Sequence, residues 1–531
     1  MAVNSVAFPK KPWHFPWGWL LLCFLPWAIE SFLISPQPSR PNVLSQSSSS
    51  SQSPSTRLAA AAESTWQSHV STHPDAFNAF NKIYNKELSD TDKSQFDLAM
   101  LFVSQAHAND FEALVQHAHR QISSAPHGIR FVALLGGGVI GESVELDEPE
   151  RPSMSLLIGS LPPGAQMKIT TQDNTDDNNF LNNNDGIWDL VNDPLDGAPT
   201  KYNSCLLFAD PWAQVEQFLA APSQPDNKDR PLVLAGGITC PYLADQSSLA
   251  FDGRCLPQGS MIAIAFGGTL GLQTMVAQGC RPVTEGSIYR VTACDGNVIT
   301  KLDGKPALQV LRDLANQSPP AEQDQISSGL LCGIMTPSDN TDDNDVNSSD
   351  FLSRQIMGFV PSVQGIAIGT NQIREGDLFC FQVRDGSTAQ QDLQLMVQRA
   401  KTARLFDGNP SRQPQPVAAI QISCVARGRG MFDGIPNVDL SNVQQLVETT
   451  ASRPRNGDKN DDNPPPVVAG FFANGEIGPV GLAGFSTTKA SNGRAYLHSF
   501  TTVAATLCEY TQLAETSSAS GGEESSLDAW G

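Results

Sequence analysis

The chain reads as α/β to α+β: two lobes of mixed β-sheets with flanking helices, an amino-terminal half and a carboxy-terminal half. Three observations point there. Apolar runs of strand length alternate with segments of helical period, in the order strand, helix, strand. Two such units end in glycines, Leu134-Leu135-Gly136-Gly137 and Val233-Leu234-Ala235-Gly236-Gly237, which suggests one architecture used twice. Further on, strands separated by the turn dipeptides Asp295-Gly296 and Asp303-Gly304 take over. The 531 residues allow two to four domains at roughly 150 residues each.

Residues 1–31 read as a signal peptide. Lys10 and Lys11 make a short basic start, and an apolar run follows from Trp17 to Ile29. As a helix that run covers about 20 Å, short of the roughly 30 Å of bilayer hydrocarbon. A cleaved signal core is therefore expected, and a mature protein that does not span a membrane. Residues 32–62 contain no Asp or Glu, are rich in Ser and Pro, and carry Arg40 and Arg57. That is the composition of an organelle transit peptide. A signal core, Phe32 at the junction and such a segment together resemble the bipartite presequence of algae with secondary plastids. The expected address is a plastid; a signal anchor on an endomembrane, or secretion, is the alternative. Beyond Cys23, nine cysteines remain, an odd number with no C-x-x-C pair and several inside apolar runs. They read as reduced core thiols, not as a disulfide framework.

A lead-in of helical character covers residues 63–94, with Phe77, Phe80, Ile83 and Tyr84 at helical spacing. Phe96–Ser104 follows as a buried strand. Ala108–Ser123 is a helix with Phe111, Leu114, Val115, Ala118 and Ile122 on one face, and Ile129–Leu135 is a second buried strand. That order predicts a right-handed parallel crossover. Ser204–Ala209, Trp212–Ala220 and Leu232–Ala235 repeat it. Strands follow at Met261–Phe266, Thr274–Ala277, Ser287–Cys294 and Asn297–Leu302, then a helix at Ala307–Leu314. In the second half, Gly365–Gly369, Asp377–Val383, Val417–Ser423, Val467–Phe472 and Ala495–Thr502 read as strands and Gln391–Arg404 as a helix. Asn/Asp-rich islands at 171–197, 337–350 and 455–466 have no hydrophobic period and read as surface-loop insertions. No island supplies both the Gly at the sixth and the Glu at the twelfth position of a calcium-binding EF-hand loop. Residues 513–531 read as a disordered tail.

Charged residues make up 17 % of the chain, hydrophobic residues 40 %, and the formal net charge is −21. The apolar content excludes a wholly disordered chain. An acidic balance without any Lys/Arg cluster excludes a nucleic-acid partner. His117 and His119 lack the i, i+4 spacing of a helical metal pair and read as surface residues; no metal or cofactor is expected.

Four blocks stand out. They are Gly136-Gly137-Gly138-Val139-Ile140-Gly141-Glu142, then Gln278-Gly279-Cys280-Arg281-Pro282, then Ser423-Cys424-Val425-Ala426-Arg427-Gly428-Arg429-Gly430. The last is Gly470-Phe471-Phe472-Ala473-Asn474-Gly475-Glu476-Ile477-Gly478-Pro479, followed by Tyr496-Leu497-His498-Ser499-Phe500-Thr501. In this order they resemble the FIST family, the sensory domain shared by prokaryotic signal-transduction proteins and some eukaryotic F-box proteins. Its amino half carries a Gly-rich segment with G-E, matched by Gly141-Glu142, and a G-C-R-P-like segment, matched by Gly279–Pro282. Its carboxy half carries C-x-x-R-G, matched from Cys424, and G-F-[FY]-x-x-G-E, matched from Gly470. The resemblance places an amino half at 95–350 and a carboxy half at 351–512; the three islands depart from the family pattern. It implies a sensory, small-ligand-binding protein, not an enzyme, with amino acids as suggested ligands.

The residues themselves allow more than one role. Gly137 and Gly138 after a strand let backbone N–H groups approach a ligand, or simply make a packing turn. Arg427 and Arg429, around Gly428, suit a carboxylate fork, and Glu476 suits an ammonium group. Together they would recognise a zwitterion; Arg427 and Glu476 can equally form an internal ion pair. The candidate ligand-binding set is Gly137, Gly138, Gly141, Glu142, Arg427, Gly428, Arg429, Asn474, Glu476 and His498. A thiol-dependent hydrolase using Cys424 with His498 is the enzyme alternative, and needs the imidazole within hydrogen-bond reach of the thiol. An interaction scaffold docking partners through its acidic loops is the third reading.

Overall fold

A computed structural model describes residues 65–85, 95–123, 128–172, 202–220, 232–241, 243, 245–284, 287–336, 350–406, 414–448, 467–485 and 494–510. The presequence at 1–62, the tail at 513–531 and almost all of the three Asn/Asp islands lie outside the described residues. The lead-in differs from expectation. Its first part, Trp66–Ser71, is a strand antiparallel to Met154–Gly159, and among its described residues the α-helix covers Ala76–Ile83, capped by Asp75 accepting from the Asn78 N–H. The apolar residues at 77–84 set the helical period, and they do not reach back to the strand.

Three mixed sheets share one plan. Sheet I runs Trp66–Ser71, Met154–Gly159, Leu98–Ser104, Arg130–Gly136, Leu249–Phe251, Arg254–Cys255. Sheet II runs Ala165–Gln172, Met261–Gly268, Ser204–Ala209, Val233–Ile238, Glu476–Gly478, Tyr496–His498. Sheet III runs Leu270–Ala277, Thr502–Tyr510, Pro414–Cys424, Val468–Ala473, Val139–Gly141, Val144–Leu146, with Leu482–Ala483 on its outer edge. In each, the third and fourth strands are parallel and joined through a helix: Phe111–Ile122, Val215–Ala220 and Val438–Val447. The expected crossover is therefore present, and present a third time in the carboxy half.

The sheets are interlocked. After its parallel pair, each unit sends its next strand into a neighbouring sheet: Val139–Gly141 pairs with Val468–Ala473, Leu249–Phe251 with Arg130–Gly136, and Glu476–Gly478 with Val233–Ile238. The junctions repeat atom for atom. Gly137 N–H donates to Phe472 O at 2.8 Å, Cys240 N–H to Leu135 O at 2.9 Å, and Asn474 N–H to Ile238 O at 2.9 Å.

Each sheet has two buried faces, so its strands are near-continuous apolar runs. In Leu98–Ser104, Leu98, Met100 and Phe102 enter the central core, while Ala99, Leu101 and Val103 meet the helices Ala76–Ile83 and Phe111–Ile122. Phe102, Phe208 and Phe471, one per sheet, meet at the centre with ring centroids 5.9 and 6.0 Å apart. Each buries a side chain worth roughly 1.5–3 kcal/mol in transfer free energy. Sheet III is covered outside by Val438–Val447 and the longer Gly386–Leu405, capped by Asp385.

The remaining strands close into a small antiparallel barrel inserted between Leu270–Ala277 and Gly386–Leu405. Around it run Leu378–Arg384, Leu330–Met335, Leu352–Val360, Gly365–Ile368, Val298–Leu302 and Tyr289–Asp295, which returns to Leu378–Arg384. Ile299, Cys332, Ile366, Phe379 and Phe381 fill it, under the helix Ala307–Gln317. Closure leaves no open sheet edge. The barrel draws strands from both sides of residue 350. His117 and His119 are half-buried: His117 Nε2 bonds Asn81 Oδ1 at 2.8 Å between two helices, and His119 stacks on Phe131 of sheet I. Among the described residues no helix is long and apolar enough to cross a membrane.

Candidate functional site

The three interlocked units offer the same place three times, at the end of the first parallel strand. There Ser104, Asp210 and Cys424 each donate a backbone N–H at 3.0 Å, to Ser153 O, Ser260 O and Thr501 O. The first two nests are closed by their own polar partners. Ser104 Oγ accepts from Ser153 N–H and donates to Arg151 O. Asp210 accepts from the Trp212 and Gly259 N–H groups and from the Ser248 hydroxyl at 2.6 Å.

Among the described residues the third nest lacks a full set of such bonds. Beside Cys424 lies Glu476, fully buried. Its Oε2 accepts from Thr501 N–H at 3.2 Å and Thr501 Oγ1 at 2.8 Å. Its Oε1 is buried without a well-formed hydrogen bond. Burial raises Glu476 to about 8, opposed by the Thr501 bonds, by Arg427 and by the nearby Cys424 thiol. A buried carboxyl with one oxygen poorly hydrogen-bonded is costly, so its survival calls for a reason.

The barrel supplies the other wall. Cys280 and Arg384 stand opposite each other in register, and Cys280 lies within electrostatic reach of Arg384, Arg427 and Glu476. Arg384 is exposed, donates to Ala426 O and sits with Cζ 5.8 Å from the Phe500 ring centre; among the described residues no carboxylate pairs with it. Val425, 46 % exposed, borders the same mouth. Phe500 has φ of 64°, a left-handed conformation that costs a non-glycine residue about 1–2 kcal/mol. It turns its carbonyl inward to Arg427 Nη1 at 3.3 Å.

Arg427 differs from the expected ion pair. Its side chain is wholly buried, and its carboxylate is Asp439, held by Nε at 2.7 Å and Nη2 at 2.8 Å, not Glu476. The reason is the helix Val438–Val447, which brings Asp439 to the outer side of sheet III. Glu145 joins this group, accepting from Gln421 Nε2 at 2.8 Å and Leu440 N–H at 2.9 Å. Burial first, and Asp439 second, raise Glu145 to about 8. With Nε and Nη2 on Asp439 and Nη1 on Phe500 O, Arg427 has no free fork for a ligand; it orders the nest from behind.

The other candidate residues separate. Gly137 N–H donates to Phe472 O across the interlock, and a Cβ there would lie 2.5 Å from Val425 Cγ1, so it packs beside Val425. A Cβ on Gly138 would stand 2.1 Å from Leu146 O, and one on Gly141 2.3 Å from Ser155 Oγ. Glu142, at φ 48°, accepts from Val70 N–H at 3.1 Å on an exposed turn. These three make a packing turn, not a cradle. Gly428, at φ 74°, is pressed against Asp147, which accepts from Arg429 N–H at 2.7 Å, while Arg429 Nη1 reaches Glu148 at 2.6 Å. Asn474 is the interlock turn that delivers Glu476.

His498 stands opposite Glu476 in register, but its Nε2 bonds Gly478 O at 3.1 Å. Burial lowers it to about 4, and burial with the Glu476 charge pushes the Cys424 thiol above its ordinary range. Among the described residues no hydrogen bond joins Cys424 to His498, so the thiol–imidazole relay is not formed. Nor do three His, Cys, Asp or Glu side chains gather as a metal site among them. Sequence reasoning missed Arg384, Asp439 and the role of Cys280 and Thr501. The last two sit inside blocks already noticed; Arg384 and Asp439 carry no local signal.

Comparison with known proteins identifies the family. A FIST N domain matches residues 97–305 and a FIST C domain residues 307–479. An uncharacterized protein of Mycobacterium tuberculosis is 28 % identical over 426 residues, covering 79 % of this chain and 97 % of that protein. One of Mycobacterium bovis is 32 % identical over 297 residues, covering 56 % of this chain and 65 % of that protein. With both domains matched in order across the interlocked sheets and the barrel, the chain belongs to the FIST family.

Proposed function

We propose that this protein is a small-ligand-binding sensor whose ligand docks in the third nest, between Glu476 and Arg384. FIST domains are sensory, ligand-binding domains, and the family membership carries the class of function. The observation that supports the place is the buried Oε1 of Glu476, which has only the Cys424 thiol nearby and no well-formed hydrogen bond, where the carboxylate and hydroxyl of the two equivalent nests are fully bonded. The ligand we favour is an amino acid or a similar small metabolite. Its carboxylate would meet the Arg384 guanidinium, which has no carboxylate partner among the described residues, and its ammonium group would meet Glu476. An ammonium group favours the charged carboxylate, so binding releases the proton that Glu476 holds near neutral pH.

The test is a thermal-shift screen of the full chain against amino acids and organelle metabolites. A ligand at about 100 times its Kd stabilises the folded state by about 2.7 kcal/mol. Glu476→Gln is expected to abolish the shift and Arg384→Gln to weaken it. A ligand that shifts both variants as it shifts the unaltered protein would place binding elsewhere.

A further inference from the structure

Among the described residues, Arg427 and Arg354 are buried and Arg404 is half-buried. Arg427 meets Asp439 and Arg354 meets Glu216. Arg404, near the carboxyl end of Gly386–Leu405, meets no carboxylate among the described residues. Its Nε donates to Gln273 Oε1 at 2.6 Å, its Nη1 donates to Leu446 O, and its Cζ lies 5.7 Å from the Phe485 ring centre. Its Nη2 is buried with no partner. Gln273, 1 % exposed on the outer face of sheet III, also accepts from the Cys508 thiol, yet its Nε2 is buried with no partner.

The amide cannot be turned round to remove the difficulty. Arg404 Nε can only donate, so Gln273 must present its oxygen to it. Two unsatisfied donors therefore sit one carbon away from the two ends of a single hydrogen bond, and one of them belongs to a cation. Burial works against the Arg404 charge, and only Cys508 and Tyr510 act to favour it. The residues that follow Arg404, Leu405 and Phe406, are 69 and 70 % exposed, so solvent lies one residue beyond the buried donors.

We infer that Arg404 and Gln273 form a second binding site, for a carboxylate, on the outer face of sheet III and apart from Glu476. A carboxylate has the charge Arg404 lacks and two acceptor oxygens for the two free donors. The site does not depend on the sensing site: Gln273 faces the helices outside sheet III, whereas Glu476 lies at the junction of sheet II with the barrel.

The experiment is a thermal-stability titration of the full chain with sodium acetate against sodium chloride at matched ionic strength. Unaltered protein and Glu476→Gln are expected to gain equally from acetate. Arg404→Gln should need about tenfold more acetate for the same gain, the loss of one charge-assisted contact, and Gln273→Leu should also need more. If Arg404→Gln does not fold, Gln273→Leu decides. An unchanged response in Gln273→Leu, or no acetate-specific gain in the unaltered protein, overturns the site. A short acidic peptide in place of acetate tells the source apart: tighter binding assigns a protein-borne carboxylate, weaker binding a free acid.

Discussion

Glu476 and Glu145 are carboxyls that hold a proton in the folded chain at pH values where the unfolded chain has lost it. Burial places both at about 8. Between the ordinary carboxylate range and that value the folded state binds more protons than the unfolded one. Stability therefore falls as pH rises through the window and levels off above it. Each group contributes a slope of at most about 1.4 kcal/mol per pH unit. Urea unfolding from about pH 5 to about pH 8 should show this fall, and Glu476→Gln or Glu145→Gln should each flatten it; an unflattened curve would remove that residue from the account. Arg427 gives the complementary case. Arg427→Ala leaves Asp439 buried beside Glu145 without its cation and should cost about 3–5 kcal/mol in denaturant unfolding. Replacing the pair together, Arg427→Met with Asp439→Leu, should cost less than either single change, because no charge is left unpaired.

Among elements, the fourth strand of each sheet shows how close packing dictates residue type. Gly236 and Gly470 occupy equivalent positions, and a Cβ on either would come 1.7 Å from Leu207 O or 1.8 Å from Gln421 O. The sequence blocks made these glycines visible but not their purpose, which is to let a neighbouring strand's carbonyl pass. Gly470→Ala should destabilise by more than about 3 kcal/mol or prevent folding, whereas Gly358→Ala, with nothing within 4 Å, should stay within about 0.5 kcal/mol. Thermal unfolding of both variants checks the contrast. The long apolar strands and amphipathic helices were legible because periodicity reports burial. The short exchanged strands, Val139–Gly141 and Leu249–Phe251, were not, because three residues carry no period. Helix Val438–Val447 was missed for a related reason: Asp439 and Asn442 sit buried on it and blur its apolar stripe.

For the whole molecule, the interlock sets the behaviour. Sheet I cannot be completed without Leu249–Phe251, sheet II without Glu476–Gly478, or sheet III without Val139–Gly141. No unit has its own finished core, so the sheets should unfold as one cooperative system. Far-UV dichroism and tryptophan fluorescence should give coincident transitions, and a fragment of residues 65–172 should not fold alone. Separate transitions for the two probes would mean that one sheet survives without its exchanged strand.

The division between sequence and tertiary structure follows from range. Local period and turn chemistry determined the mixed sheets, the crossover helices and the four blocks, since those depend on neighbours within a few residues. The position of Cys424 and Glu476 as one nest was partly legible through the blocks that contain them. That Arg427 pairs with Asp439, that Arg384 comes near Cys424, and that one of three equivalent nests keeps a poorly bonded carboxylate oxygen were decided only in three dimensions. Each of those facts depends on a barrel and on exchanged strands whose partners lie tens to hundreds of residues away, and nothing local encodes which buried charge will meet which.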